Sequence, residues 1–321
     1  MIYQYFQPGP GHSRSNAYLL ALLSYYIYED EVPKPPGLAV INPVDRENLF
    51  KQRFIATFEA LSPPANQFAI AVETAIAEFA VLSAPNLILV GFRGTDEISD
   101  WVSAIPGGNF SSQMITTPPN WGSVKVHANY YQTLNLVYGS VRDRVRNHVG
   151  QDTRVFLTGH SRGGALATLC AYRLKQIDKI DVAGVYTFGA PRVGNSHFRA
   201  LYRNAGLWDR TFRWVRRRDM GPRWPDIDPI SFDRYFHVGN LYYIAGNGQV
   251  TAPDPEFEPA RDDIQDATYG GGDHDMFVYC TLMYLRLNNA VRQRASLPAS
   301  LVKQDVPNGL PHLSPGMIPG L

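Results

Sequence analysis

Short apolar runs alternate with helix-like segments over much of the chain, and this alternation restricts the fold more than any other feature. A continuous apolar run is what a strand buried on both faces needs. Strands separated by helices pair in parallel, because each helix returns the chain to the same edge of the sheet. The sequence therefore predicts an α/β fold with a mostly parallel central sheet and helices on both faces. The predicted strands are 87–92, 154–158, 182–188, 211–216 and 241–245, and the predicted helices are 129–149, 165–175, 195–204 and 275–291.

The remaining segments complete a single predicted domain of 321 residues. Residues 16–29 and 45–61 are predicted helices, and the apolar stretch 68–80 is predicted to add strand structure. The insertion 102–124 contains several prolines and glycines and is longer than most connections, which is typical of a functional lid. The proline-rich tail 295–321 is expected to wrap the body or to lack regular structure.

Composition and charge exclude several classes of protein. The 45% apolar and 12% aromatic content excludes a disordered chain. A net charge of +1, from 30 basic and 29 acidic residues, argues against nucleic-acid binding, which needs a basic excess. The apolar run 17–28 is shorter than the roughly 20 residues of a membrane span. Acidic residues follow it rather than a small-residue cleavage site, so we expect a buried helix and not a signal peptide.

The two cysteines lie in apolar, helix-like stretches. Cys170 and Cys280 are expected to be free and buried, although one disulfide between them remains open. The Cys/His spacing typical of a structural zinc site is absent from the sequence.

The segment Gly159-His160-Ser161-Arg162-Gly163 fits the pattern G-x-S-x-G. A serine on a tight turn between a strand and a helix adopts a strained backbone conformation, and the two glycines remove side chains that would collide there. A predicted strand precedes this pattern and a predicted helix follows it. The sequence therefore predicts Ser161 as a nucleophile.

A serine hydroxyl needs a base to take its proton. In this architecture the order along the chain is Ser, then acid, then His. His274 lies in a glycine-rich loop before the last helix, where α/β sheets present catalytic groups. His237 begins an apolar run, where a packed histidine is the expected role. His274 is the favoured base and His237 the alternative.

The acid is expected at the end of a strand. Asp219 directly follows the predicted strand 211–216 and its arginine run, and it is the favoured residue. Asp226 and Asp228 are the competing candidates. Because Asp226 follows Pro225, it also suits a turn.

Acyl transfer also needs donors that stabilise the negative charge developing on the carbonyl oxygen. One is expected to be the backbone N–H of the residue after the nucleophile, here Arg162. Thr95, just beyond the strand 87–92, is the candidate for the second donor, through its N–H and its hydroxyl. An ordinary turn with Asp96 as a helix cap is the alternative for this segment.

Three segments together resemble the class 3 (fungal-type) lipases of the α/β-hydrolase fold. They are Phe-Arg-Gly-Thr at 92–95 followed by Asp100-Trp101, the nucleophile motif with its helix at 159–167, and Phe-Gly-Ala-Pro-Arg-Val-Gly-Asn at 188–195. The resemblance covers residues 15–293. It implies Ser161, Asp219 and His274 as the triad, Thr95 and Arg162 as oxyanion donors, and 102–124 as a mobile lid.

The chain departs from the family pattern at three places. Arg162 stands where leucine is usual after the nucleophile. Met220-Gly221-Pro222 follows the acid in place of a Val-Pro pair, and Asn129-Tyr130 replaces a Gly-Phe pair. The first departure changes the polarity expected at the mouth of the site and therefore bears on substrate preference.

The resemblance implies hydrolysis of acylglycerol esters at an oil–water interface, with no metal or cofactor and no obligatory protein partner. The uncharged apolar side chains of 102–124 suit such an interface. Another ester hydrolase of the family, such as a feruloyl esterase or a phospholipase, is one alternative. A catalytically silent domain that binds lipids is the other. Members of the family are often secreted, and the sequence leaves the compartment open.

Overall fold

The computed structural model describes residues 7, 11–27, 69–73, 79–84, 86–94, 112–114, 124–227, 232–245, 249–254 and 273–292. Within these ranges ten strands form. They are β1 Ala69–Glu73, β2 Phe79–Ala84, β3 Leu87–Phe92, β4 Ser112–Met114, β5 Lys125–His127, β6 Arg154–His160, β7 Val182–Phe188, β8 Thr211–Arg216, β9 Asn240–Ile244 and β10 Val250–Asp254.

Eight of these strands form one sheet in the order β1-β2-β3-β6-β7-β8-β9-β10. The centre is parallel, because β3, β6, β7, β8 and β9 pair in parallel with their neighbours. The two edges are antiparallel, where β1 and β2 extend β3 and where β10 pairs with β9. The predicted mostly parallel sheet is therefore confirmed, and it carries antiparallel additions that the alternation of helices and strands did not reveal.

The described helices are α1 Arg14–Tyr26, α2 Ala128–His148, α3 Arg162–Gln176, α4 Ser196–Asn204, α5 Met276–Leu285 and α6 Asn289–Arg292. The predicted single helix 275–291 is wrong in one respect, since it divides into α5 and α6. The N–H groups of Arg286 and Leu287 bond three residues back, which tightens and ends α5. Asn288 then precedes α6, and asparagine is a favoured residue at a helix start.

The sheet separates two hydrophobic layers. Helices α1 and α5 pack on one face, while α2, α3 and α4 pack on the other. Strand β3 shows the alternation directly, since Leu87 and Leu89 join the first layer whereas Ile88 and Val90 join the second. Burial on both faces explains why this strand is apolar at successive positions.

Several expectations for the N-terminal part can be compared with the structure. The apolar run 17–28 forms most of α1, whose side chains are buried from Asn16 to Tyr26, in agreement with the predicted buried helix. The stretch 68–80 was expected to form strand structure, and it contains β1 and the start of β2, which pair antiparallel. None of the described helices is long and apolar enough to cross a membrane.

Other expectations fall on parts that the structure does not describe. The predicted helix 45–61 and the tail 295–321 lie outside the described residues. Of the insertion 102–124, the described residues are β4, which pairs with β5, and Val124. Cys170 and Cys280 are both buried and free, as expected.

Candidate active site

Ser161 lies on the turn between β6 and α3. Its φ of 53° and ψ of −132° place it in a region that a side chain other than glycine rarely occupies. A Cβ on Gly159 would overlap the backbone of Gly163, and a Cβ on Gly163 would overlap the carbonyl of Phe92. The two glycines therefore allow the turn to close around the serine, for the steric reason that the sequence pattern predicts.

Backbone hydrogen bonds hold this turn at the carboxyl ends of the central strands. The Ser161 N–H donates to the Phe188 carbonyl of β7 at 2.9 Å, and the Gly164 N–H donates to the Ser161 carbonyl at 2.9 Å. Since Gly163 also packs against the end of β3, the serine lies where β3, β6 and β7 end together. Ligands of α/β sheets bind at this edge.

Asp219 lies just beyond the end of β8. The chain turns there through Arg217, whose φ is 32°, and the Asp219 N–H donates to the Arg216 carbonyl at 2.8 Å. The aspartate is 1% exposed. Its Oδ1 accepts from the Gly221 N–H at 2.8 Å and from Nδ1 of His274 at 2.5 Å. This buried carboxylate is therefore fixed in orientation before it meets the histidine.

His274 lies at the entry to α5 and is buried beside the nucleophile turn. Its ring centroid is 4.4 Å from that of His160, the residue next to Ser161. Its Nε2 is buried and has no hydrogen-bond partner among the described residues. A buried nitrogen left without a partner needs an explanation, and a catalytic base supplies one. The opposite ring nitrogen faces Asp219, which fixes the tautomer that leaves Nε2 able to accept a proton.

Gly189 lets the backbone approach the acid and the base closely. A Cβ at this position would lie 2.5 Å from Oδ2 of Asp219 and 3.1 Å from Nδ1 of His274, and its φ of 56° also favours glycine. Gly189 belongs to the segment 188–195 that contributes to the family resemblance. The motif therefore has a physical role, since it makes room for the acid–base pair behind the nucleophile.

Tyr279 is a site residue that sequence reasoning missed. Its hydroxyl donates to Oδ2 of Asp219 at 2.5 Å and accepts from the Arg216 N–H at 2.9 Å. Burial, and then the negative charge of Asp219, raise the pKa of this phenol well above its usual range, so the tyrosine stays a donor. The sequence offered no signal, because Tyr279 reads as one more apolar residue of a buried helix.

The competing histidine does not contact this pair. His237 is buried, and its Nε2 is 2.7 Å from the Pro222 carbonyl, which makes it a packed and satisfied histidine. Burial, and then the charge of Arg213, lower its pKa well below the usual range. His160 is likewise buried, and burial followed by the proximity of His274 lowers its pKa. Both side chains are therefore neutral in the folded protein.

The structure describes one of the two competing acids and one of the two proposed oxyanion donors. Asp226 lies near Arg192 and Arg234, at 3.8 and 3.6 Å, while Asp228 lies outside the described residues. Arg162 is the first residue of α3 and directly follows Ser161, so its backbone N–H lies at the nucleophile turn. Thr95 also lies outside the described residues, and its role stays a prediction.

No group of three or more His, Cys, Asp or Glu side chains is placed to hold a metal ion within the described ranges.

Comparison with known proteins gives this geometry a context. Residues 89–228 match the family model for class 3 lipases. A lipase of Rhizomucor miehei is 32% identical over 171 residues, which cover 51% of this chain and 43% of the relative. A chloroplastic or mitochondrial phospholipase A1 of Oryza sativa subsp. indica is 30% identical over 140 residues, covering 37% of this chain and 32% of the relative. The matches thus span less than half the length of these two relatives.

A solved structure shows the same fold. It is a triacylglycerol lipase whose catalytic centre is described as a serine protease triad. It is 27% identical to this chain, with a TM-score of 0.51 over 65% of this chain and 80% of that one. The matched family region includes the nucleophile turn, the segment 188–195 and Asp219. Residues 89–228 therefore match the class 3 lipase family, and the chain has the α/β-hydrolase fold of the lipase structures that it resembles.

Proposed function

We propose that this protein is a serine ester hydrolase that cleaves acylglycerols, with Ser161 as nucleophile, His274 as base and Asp219 as acid. The observation that carries the proposal is the buried hydrogen bond between His274 and Asp219, which leaves Nε2 of His274 without a partner beside the Ser161 turn. The likeness to a Rhizomucor miehei lipase and to a triacylglycerol lipase structure supports the same reaction class.

The proposed reaction proceeds in two steps. In the first, the Ser161 oxygen attacks the ester carbonyl carbon while Nε2 of His274 takes the hydroxyl proton. The tetrahedral intermediate collapses, the carbon–oxygen bond to the alcohol breaks, and the alcohol leaves with the proton from His274. In the second, water attacks the acyl-serine, His274 again carries the proton, and the fatty acid leaves Ser161 free.

Asp219 stabilises the charged imidazolium that forms in each step and holds its orientation. Because Asp219 already accepts hydrogen bonds from Gly221 and Tyr279, it needs little rearrangement when the histidine becomes charged. The Arg162 N–H is the proposed oxyanion donor from this side of the turn, and Thr95 is the proposed second donor.

The test uses a fluorophosphonate label and an ester substrate on the intact chain. We expect the label to attach to Ser161 and the protein to hydrolyse a dissolved short-chain ester. In Ser161→Ala, labelling should disappear and the rate should fall by roughly a thousandfold or more. Ser196→Ala, at the start of α4, is the control and should keep both activities. If the wild-type protein neither reacts with the label nor hydrolyses an ester, the result would contradict the proposal and favour a silent binding domain.

A phospholipase is the second candidate function, because the rice phospholipase A1 is 30% identical to part of this chain. Equal amounts of enzyme should be given triacylglycerol emulsion and diacylphosphatidylcholine vesicles. Faster release of fatty acid from the emulsion supports the acylglycerol proposal. Preference for the phospholipid would assign the chain to the second candidate.

The insertion 102–124 is proposed to act as a lid at a lipid interface. The support comes from its uncharged, partly apolar composition and its length. Rates should therefore rise sharply when the triacylglycerol exceeds its solubility limit. A deletion of 107–117 that leaves the rate on emulsions unchanged would contradict this proposal.

A further inference from the structure

The proposed acid and base come from two separate segments of the chain. Asp219 lies on the turn that follows β8, while His274 lies at the entry to α5, 55 positions later. The backbone next to each residue therefore does not fix their mutual geometry, whereas the position of Ser161 is fixed by the backbone of its own turn. Contacts between the end of β8 and the start of α5 must fix it instead.

One such contact is a buried ion pair between Arg216 and Asp273. The guanidinium of Arg216, the last residue of β8, pairs with Oδ1 of Asp273, the residue immediately before His274. The two side chains are only 3% and 11% exposed. The Arg218 N–H also donates to Oδ2 of Asp273 at 3.4 Å. Both oxygens of this carboxylate are thus directed to the strand end that carries Asp219.

Arg216 also contacts the other flank of His274. Its backbone N–H donates to the Tyr279 hydroxyl at 2.9 Å, and that hydroxyl donates to Asp219. One residue at the end of β8 therefore contacts the chain both before the histidine, at Asp273, and after it, at Tyr279 of α5. Burial makes such a pair sensitive to the loss of either partner, because the remaining charge would have no compensation.

We propose that Arg216 and Asp273 are positioning residues for the reaction, and that their ion pair holds His274 in line with Asp219 and Ser161. This inference rests on the proposed function and adds to it two residues outside the triad. The pair acts through His274 and does not touch the substrate. A small displacement of a catalytic group lowers the rate steeply, so the pair should govern kcat more than KM.

A purely structural ion pair would also lower stability when broken, so the test needs a second readout. Among the residues that the structure describes, the charged and titratable groups around His274 are Asp219, His160, Tyr279, Arg216, Asp273 and Asp275. Asp273→Asn removes one negative charge beside His274 while the Arg216 cation remains. A cation nearby disfavours a charged imidazole, so the acid limb of the rate–pH profile should move to lower pH. Arg216→Gln should move it to higher pH.

The experiment measures kcat, KM and the rate–pH profile with a dissolved ester, together with Tm. In Asp273→Asn we expect kcat to fall about 10- to 100-fold with little change in KM. The acid limb should shift by about half a pH unit or more. Arg216→Lys keeps the charge and should recover most of the wild-type profile. This conservative variant also keeps the test open should Asp273→Asn fold poorly.

Asp178→Asn is the matched control. Asp178 has a side chain that is 5% exposed and, like Asp273, pairs with an arginine, in this case Arg146 at 2.8 Å. It also accepts from the Tyr138 hydroxyl of α2. We expect Asp178→Asn to lower Tm while leaving kcat and the acid limb of the rate–pH profile unchanged.

Two results would overturn the inference. If Asp273→Asn lowers Tm but keeps the wild-type kcat and acid limb, the pair is structural only, and the proposed function still stands. If wild-type protein neither labels at Ser161 nor hydrolyses esters, the proposed function fails and the positioning role falls with it.

Discussion

The nucleophile turn and the acid–base pair are built in opposite ways. The turn depends on residues 159–163, where two glycines and one strained serine lie close together in the chain. The acid–base pair joins Asp219 to His274 across 55 positions and is completed by Tyr279 and Gly189 from two further elements. One region is therefore specified by local sterics, and the other by tertiary packing.

This difference has a practical consequence. A local turn can be recognised in the sequence, because only glycine fits at its crowded positions. A pair assembled from distant segments leaves a weak signal, because any His or Asp at a strand end is a candidate. Substitutions should therefore affect the two regions differently. Substitutions of the glycines in the turn should disturb folding, whereas substitutions in the acid–base pair should disturb chemistry.

The largest expected effect is that of Asp219→Asn, which targets the pair. The amide cannot stabilise an imidazolium and favours the wrong tautomer of His274, so kcat should fall about 10⁴-fold. The substitution keeps the shape of the side chain, so Tm should change little by comparison. Steady-state kinetics on a dissolved ester measures the first quantity and thermal unfolding the second.

Asp226→Asn is the control for that substitution, since Asp226 was the competing acid and pairs only loosely with arginines in the structure. It should leave kcat close to wild type. A large loss of kcat in Asp226→Asn with none in Asp219→Asn would reverse the assignment of the acid.

Gly159→Ala targets the nucleophile turn. The new Cβ would overlap the backbone of Gly163, and the free energy of unfolding should fall by about 3 kcal/mol. Gly139→Ala in α2 is the matched control, because nothing lies within 4 Å of the added Cβ. It should raise stability by about 0.5 to 1 kcal/mol. Urea unfolding of both variants measures the expected loss of stability in Gly159→Ala and the expected gain in Gly139→Ala. An unchanged urea midpoint in Gly159→Ala would contradict the local steric account.

Low pH should lower the free energy of unfolding, because each of the two regions contains a buried histidine. His160 lies at the nucleophile turn, and His237 supports the turn after Asp219 through Pro222. Burial lowers the pKa of both in the folded state, so between that value and the ordinary value near 6.5 the unfolded chain binds more protons. Stability is therefore complete above about pH 6.5 and falls below it, by roughly 1.4 kcal/mol for each histidine at pH 5.5.

Unfolding free energies at pH 7.5 and 5.5 measure this loss. His237→Gln keeps a donor towards the Pro222 carbonyl and should reduce the loss of unfolding free energy between pH 7.5 and 5.5 by about half. His148→Gln, on the exposed end of α2, should leave it unchanged. Equal stability of the wild type at the two pH values would refute the expectation that both histidines are neutral in the fold.

The smallest expected effect is that of Tyr279→Phe, which removes one hydrogen bond from Asp219. We expect kcat to fall about tenfold, because a hydrogen bond to a charged group contributes roughly 1.5 kcal/mol. Tyr284→Phe lies on the same helix, and its hydroxyl meets the Arg292 carbonyl at a long 3.4 Å. It should leave kcat unchanged, and an equal loss in the two variants would mean that the effect arises from packing of α5.

Much of the fold was predictable because its signals are local. Strands β3, β7 and β8 have the predicted bounds, and β3 has no polar side chain, as burial on both faces requires. The division of the last helix and the pairing of β9 with β10 were not predicted. The division comes from a tightened turn at the end of α5, and the pairing depends on where the chain meets its neighbours.

The sequence by itself determined the strained serine turn, because glycine, serine and glycine at that spacing between a strand and a helix leave little other choice. It also selected Asp219 and His274 as candidates from their positions at a strand end and in a loop. Only the tertiary structure decided that these two meet, that Tyr279 completes the carboxylate, and that Arg216 and Asp273 join β8 to α5. The reason is physical. Steric limits act between neighbours in the chain, whereas hydrogen bonds and ion pairs join whatever residues the fold buries together.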